Sequence, residues 1–218
     1  MVTRAVLIDL DGTLIDTAPD IAAAANATLA SLGLAALEVA QVRSFIGEGI
    51  AVLVRRSLGT RMGPSEADGQ LAPALEEFER QYKAVNGRYS SVYPGALEGL
   101  RSMRAAGLKL GCVTNKVLRF AEPLLAHFHL LELFDALIAG DSTPAKKPDP
   151  APVLEACRRL DVPPAACVLI GDSAHDARAA RAAGVAFLAV PYGYGGKEEL
   201  DGVPVLASLE LFDPLKLR

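Results

Sequence analysis

From residue 94 onward, apolar stretches of strand length alternate with amphipathic stretches of helical length. The segment "PGALEGLRSMRAAG" opens on Pro94, well suited to a first helical turn, and stops at Gly107. "LKLGCVTN" then reads as a buried strand. "VLRFAEPLLAHF" sets Val117, Phe120, Ala121, Leu124, Leu125 and Phe128 at helical spacing, and Pro123 inside it predicts a kink or a late start. "FDALIAG" reads as a strand, "APVLEACRRL" as a helix, "ACVLIGD" as a strand, "HDARAARAAG" as a helix and "VAFLAV" as a strand. Near the N-terminus, "AVLID" is a further apolar run of strand length. Such alternation predicts an α/β fold, a doubly wound parallel sheet with helices on both faces.

Residues 18 to about 88 break the rhythm with helices that have no strand between them: "PDIAAAANATLASLG", "LEVAQVRSFIG", "IAVLVRRSLG" and "EADGQLAPALEEFERQYKAV". In the last of these, Leu71, Leu75, Phe78, Tyr82 and Val85 recur three or four apart and form one apolar stripe. A helical block after the first strand of an α/β fold reads as an inserted domain. The expected division is residues 1–16 with 90–218 for the α/β core and 17–89 for the insert, with hinges near Asp16–Pro19 and in "NGRYSSVYPG".

Composition narrows the function classes. Of 218 residues, 51% are hydrophobic and 22% charged, a globular rather than disordered profile. A net charge of −4 argues against broad electrostatic binding to nucleic acid or to an anionic membrane. No stretch nears the ~20 apolar residues that span a bilayer, and the N-terminal apolar run is too short for a signal peptide. The three cysteines, Cys112, Cys157 and Cys167, show no CxxC spacing and sit in apolar contexts, so buried thiols in a cytoplasmic protein are expected. Neither a nucleic-acid nor a membrane partner is expected, and a monomer or homodimer fits.

The chemistry gathers at predicted strand ends, where open α/β sheets bind ligands. Asp9 and Asp11 follow the first strand, Thr114 and Asn115 follow "LKLGCV", and Asp172 follows "ACVLIG" with Ser173 and Asp176 behind it. Lys146 and Lys147 lie in the loop "GDSTPAKKPDP". Each feature also has a plain structural reading. Asp11-Gly12 can be a turn, Thr114-Asn115 a helix cap, Ser173-x-x-Asp176 a capping box, and Lys147 a solvated loop lysine. Taken together they say more. Several acids converging on one pocket raise one another's pKa unless a cation intervenes. A hard divalent ion such as Mg²⁺ would answer that, and helix N-termini after Asn115 and Asp172 would favour an anion. Metal, anion site and spare carboxylate together point to phosphoryl chemistry.

The motifs resemble those of the haloacid dehalogenase superfamily of phosphotransferases. D-x-D-G-T stands as Asp9-Leu10-Asp11-Gly12-Thr13, the strand-end threonine as Thr114, the lysine before proline as Lys147-Pro148, and G-D-S-x-x-D as Gly171 to Asp176. The resemblance covers the whole chain. It implies a Rossmann-like core with a small α-helical cap domain supplied by the insert. Within the family, "VYPGALEGLRSMRAAGLKLGCVTNK", "DPAPVLEACRRL" and "VPYGYGG" are most similar to the phosphoglycolate phosphatases. Sugar-phosphate phosphatases, pyrophosphatases and β-phosphoglucomutases share much of the same text. A phosphoaspartate receiver domain would be about half this length, without a cap or the second acid.

The resemblance implies a hydrolase of a small phosphate ester that works through an aspartyl-phosphate. Asp9 is the implied nucleophile and Asp11 the general acid and base. Mg²⁺ is implied on the Asp9 carboxylate, the Asp11 carbonyl and Asp172, and Asp176 is implied just outside that shell. Thr114, Asn115 and Lys147 are implied to bind phosphate, and Thr13 to position Asp11. On the insert, Arg43 is the candidate contact for a substrate carboxylate, with Glu48 opposing it. Two residues depart from the family's pattern, His175 where Asn is usual and Glu48 where a neutral residue is common. His127, His129 and His175 lack metal-ligand spacing and are read as structural.

Overall fold

The structure, a computed structural model, describes residues 2–195 and 200–214. The chain divides into two compact units, Met1–Asp16 with Val92–Arg218, and Thr17–Ser91.

The first unit is built on a five-stranded parallel sheet. Its strands are β1 (Ala5–Ile8), β4 (Lys109–Val113), β5 (Ala136–Ile138), β6 (Cys167–Gly171) and β7 (Ala186–Ala189), in the spatial order β5-β4-β1-β6-β7. Leu7 of β1 stands level with Gly111 on one side and Leu169 on the other, which makes β1 the central strand. The strands are apolar on both faces because both are covered. Val6, Ile8, Leu110, Cys112, Val168 and Ile170 face one core, completed by α5 (Ala96–Ala105) and α6 (Leu118–His127). Ala5, Leu7, Val113, Cys167 and Leu169 face the other, completed by α7 (Ala151–Leu160) and α8 (Ala174–Ala183). Gly111 allows that second face to close, since a Cβ there would lie 2.9 Å from Leu7 and 3.3 Å from Leu160. Strand order turns around β1, so its carboxyl end opens on the crevice such sheets use for ligands.

α6 is not interrupted at Pro123. The helix runs from Leu118 to His127 with Pro123 in its sixth position, giving up one backbone hydrogen bond while Phe120, Ala121, Leu124 and Leu125 are buried. The three cysteines are buried thiols. No described helix is long and apolar enough to cross a membrane.

The second unit holds α1 (Ala18–Ser31), α2 (Val39–Arg43), α3 (Ile50–Gly59) and α4 (Pro64–Val85). The chain passes between the units through β2 (Ile15–Asp16) and β3 (Ser91–Val92), which pair as a two-stranded ribbon. α2 is only five residues long, shorter than its sequence suggested, because the segment turns at Ser44 to Glu48. On α4 the apolar stripe is completed by small residues. Ala67 and Ala74 are buried with Phe78 and Tyr82, whereas Leu71, Leu75 and Val85 are half-buried. The rings of Phe78 and Tyr82 stack at 5.6 Å, and α4 packs on α1, half of whose buried residues are alanine.

Candidate active site

β1 ends at Ile8, but the ladder continues for one more residue. The Asp9 N–H donates to the Ile170 carbonyl at 2.9 Å, so Asp9 is held rigidly at the sheet's edge. The chain then folds over itself, with the Leu10 carbonyl accepting from the N–H groups of Thr13, Leu14 and Ile15. Gly12 makes that turn at φ +89°, and a Cβ there would come within 2.4 Å of Asp172 Oδ2. Glycine is required on both counts.

Lys147 reaches into this corner from the loop before α7. It is 4% exposed, which excludes a solvated loop lysine. Its Nζ donates to Asp9 Oδ1 at 2.7 Å, Asp176 Oδ1 at 2.6 Å and the Val113 carbonyl at 2.6 Å. All three ammonium protons are used. Burial alone would make that ammonium easier to deprotonate; the charges of Asp176 and Asp9 and the hydrogen bonds to them outweigh burial and raise its pKa. The lysine thus stays charged.

The carboxylates bear the opposite stress. Burial pushes Asp9 well above the usual carboxylate range, with Asp176 and Asp172 adding to it and Lys147 opposing. Burial and the charge of Asp176 raise Asp172 to about 6, against the pull of the Tyr194 and Gly195 N–H groups and Lys147. Those two N–H groups meet Asp172 Oδ2 at 2.5 and 3.3 Å. The loop after β7 can approach so closely because it is glycine there. A Cβ on Gly193 would lie 2.2 Å from the Asp172 Cβ, and one on Gly195 1.9 Å from its carbonyl.

Asp176 forms the expected capping box with Ser173 at the start of α8, and its Oδ2 accepts from both the Ser173 N–H and hydroxyl. Its other oxygen is taken by Lys147. Asp9, Asp172 and Asp176 each offer a carboxylate oxygen, and these lie within 4.8 Å of one another. As a donor set, buried carboxylate oxygens suit a hard divalent cation, and the burial that raises Asp9 and Asp172 is a cost such a cation would offset; Asp176, already bonded at both oxygens, stands beside them.

Thr114 and Asn115 follow β4 directly, yet they do not cap the next helix. α6 starts at Leu118, and Asp141 accepts its N–H at 2.8 Å. Thr114 Oγ1 instead accepts the Lys116 N–H at 3.1 Å. The Asn115 side-chain amide clasps the Lys147 backbone, donating to its carbonyl at 2.9 Å and accepting its N–H at 3.0 Å. A Cβ on Gly140 would strike the Asn115 carbonyl at 2.2 Å, so this loop too rests on a glycine.

One further expectation needs correction. The Thr13 hydroxyl donates to Asp172 Oδ1, at 3.3 Å, rather than to Asp11. Glu48 pairs at 2.5 Å with Arg56 of the last turn of α3, and half-buried Arg43 closes the short α2 in the same helical unit. Asp11 itself is met by a residue that sequence reasoning passed over: Lys116 Nζ lies 2.8 and 3.1 Å from its two carboxylate oxygens. Also missed were the Tyr194 and Gly195 N–H groups. The cue to them was the pair of glycines in "PYGYGG", whose last residue, Gly196, lies outside the described residues.

The chain matches the family model for haloacid dehalogenase-like hydrolases over residues 6–190. It is 49% identical over 210 residues to a phosphoglycolate phosphatase of Nitrosospira multiformis, covering 94% of this chain and 92% of that one. It is also 49% identical over 214 residues to a plasmid-borne phosphoglycolate phosphatase of Cupriavidus necator, covering 97% and 92%. Among solved structures, a predicted phosphoglycolate phosphatase from Haemophilus somnus superposes with a TM-score of 0.89 at 29% identity, over 98% of this chain and 97% of that one.

Proposed function

The chain belongs to the haloacid dehalogenase-like hydrolases, and on that premise we propose that it hydrolyses a small phosphate monoester, phosphoglycolate first, through a phosphorylated Asp9. The observation that carries this is the cluster at the carboxyl end of β1, where Lys147 bridges Asp9 and Asp176 beside Asp172. The relatives' names support the choice of ester.

In this reading Asp9 attacks phosphorus in line. An Asp9–phosphorus bond forms as the bond to the leaving oxygen breaks, and Asp11 gives that oxygen its proton. Water then attacks the same phosphorus and returns its proton to Asp11, freeing phosphate and the Asp9 carboxylate. Lys147 turns the proton it now gives Asp9 toward a transferring oxygen, while Asp176 and the Val113 carbonyl keep the other two. Thr114 already accepts the Lys116 N–H, so its hydroxyl proton points to another acceptor, and it joins the Asn115 N–H around the phosphoryl group. Mg²⁺, held by Asp9, Asp172 and the Asp11 carbonyl, would supply the positive charge that lets a carboxylate approach a phosphate dianion. Asp176, occupied on both oxygens, fixes Lys147 and α8. Thr13 steadies Asp172.

The helical unit is the cap, residues 17–89 in this reading, and chooses the leaving group. Arg43 is its candidate for a substrate carboxylate. Arg43→Ala should raise KM for phosphoglycolate ten- to a hundredfold, about what a charged hydrogen bond contributes, and leave an aryl phosphate unaffected.

The test is phosphate release with Mg²⁺ over phosphoglycolate, glycerol phosphate, sugar phosphates and pyrophosphate, with chelator and Asp9→Asn as controls. Phosphoglycolate should lead by kcat/KM. A sugar phosphate or pyrophosphate in first place would keep the hydrolase and change its substrate. Release unaffected by Asp9→Asn would remove the mechanism.

A further inference from the structure

The three residues after β4 distribute the site's two lysines. Asn115 clasps the Lys147 backbone at both its carbonyl and its N–H, and Lys147 then meets Asp9. The next residue, Lys116, meets Asp11. Each aspartate of the D-x-D pair therefore has its own ammonium, and both are set from one short loop.

Lys116 is built into that loop rather than draped over it. Its N–H is taken by Thr114 Oγ1 at 3.1 Å, and its carbonyl accepts the Gly140 N–H at 2.8 Å. Its side chain is 5% exposed and that of Asp11 15%. With Nζ at 2.8 and 3.1 Å from the two Asp11 oxygens, rotation of the carboxylate about its last bond is restrained. A buried ion pair of this kind adds little net stability over an apolar pair of equal volume. Its effect here is to fix a direction.

We infer that Lys116 is a positioning residue for the reaction: it holds the Asp11 carboxylate in the orientation from which it exchanges a proton with the leaving oxygen. The inference rests on the reading of Asp11 as acid and base. Proton transfer demands hydrogen-bond reach, and displacement of a catalytic group by about 1 Å costs on the order of a hundredfold. That cost falls on esters whose leaving oxygen needs a proton. An aryl oxygen such as nitrophenolate departs without one.

The experiment compares wild type, Lys116→Met, Lys116→Arg, Asp11→Asn and the Lys116→Met/Asp11→Asn double variant, with Mg²⁺. The substrates are phosphoglycolate, ethyl phosphate and p-nitrophenyl phosphate. The quantity is kcat/KM, which reports events up to departure of the alcohol. Lys116→Met should lose ten- to a hundredfold on both alkyl esters and less than about fivefold on the aryl ester. Lys116→Arg should recover most of the loss. In the Asp11→Asn background, Lys116→Met should add less than about threefold, because it acts through Asp11.

Equal loss on all three esters, or full additivity in the double variant, means a general structural role and overturns the inference. A loss confined to phosphoglycolate means Lys116 binds the substrate's carboxylate, which also overturns it. Lys116→Met indistinguishable from wild type removes the inference while the phosphatase reading stands. No wild-type turnover of any ester removes both.

Discussion

Asp9 keeps its place among two other buried carboxylates because Lys147 stands between them. Two substitutions separate charge from chemistry there. Asp9→Asn should abolish phosphate release while the metal-free protein melts no lower than wild type, since the amide keeps the shape and removes a penalised charge. Lys147→Met should lose activity and also about 3–5 kcal/mol of stability, the usual cost of stripping one partner from a buried ionic cluster. Calorimetry and a phosphate assay on both variants check this; a Lys147→Met protein as stable as wild type would show that the cluster does not depend on its cation. Asp9, Thr114 and Asp172 were legible because a polar residue directly after an apolar strand has one place to go, the sheet's carboxyl edge. Lys116 was not. It stands beside Thr114 and Asn115 in the sequence, but nothing in the spelling "TNK" says that a lysine reaches a loop 105 residues earlier. Thr13 erred for the same reason, its hydroxyl choosing a partner 159 residues away over its neighbour.

At the scale of elements, Asp20 shows how a residue that looks ordinary can fasten a unit. On α1 it reads as an acid in a first helical turn, where the helix dipole welcomes it. In the fold it is fully buried and accepts from the Gly87 N–H at 2.7 Å, the Tyr89 N–H at 2.6 Å and the Ser90 hydroxyl. It thereby ties the segment after α4 to the start of α1. Asp20→Ala would strand two backbone donors and should cost roughly 3 kcal/mol, against about 1 for loss of a solvated first-turn acid. Urea unfolding decides between them. Strands and helices of the α/β unit could be read from the sequence because burial on both faces writes unbroken apolar runs and 3.6-residue stripes. Helix ends were less legible. α2 stops after five residues, and α6 continues through Pro123, since four buried apolar side chains outweigh one lost hydrogen bond.

For the molecule as a whole, the acidic cluster links stability to pH and to metal. The Asp172 pKa rises from 3.8 to about 6 on folding, chiefly by burial and then by the charge of Asp176. The native state therefore holds this proton over a range where the unfolded chain has released it, and stability falls as pH rises between those values. Two pKa units correspond to roughly 3 kcal/mol. Asp9, raised by the same burial, acts in the same direction. Lys147 does not interfere, because its raised pKa contributes stability that is lost only as pH rises beyond the ordinary lysine range. Asp172→Asn removes one ionisation and so isolates its part. In chelator, the Tm of Asp172→Asn relative to wild type should climb between pH 4 and 7, by several degrees at about 2–4 °C per kcal/mol. Mg²⁺ should reverse the comparison. Its ligands must be deprotonated to bind, so it should raise the wild-type Tm strongly at pH 7.5 and hardly at pH 4.5, and raise Asp172→Asn much less. Activity should follow, silent in chelator and restored by Mg²⁺, whereas Ca²⁺, with looser geometry and more ligands, should inhibit. If wild type and Asp172→Asn melt in parallel across the pH range, or if Mg²⁺ shifts both equally at both pH values, Asp172 is not the residue that couples this fold to a metal.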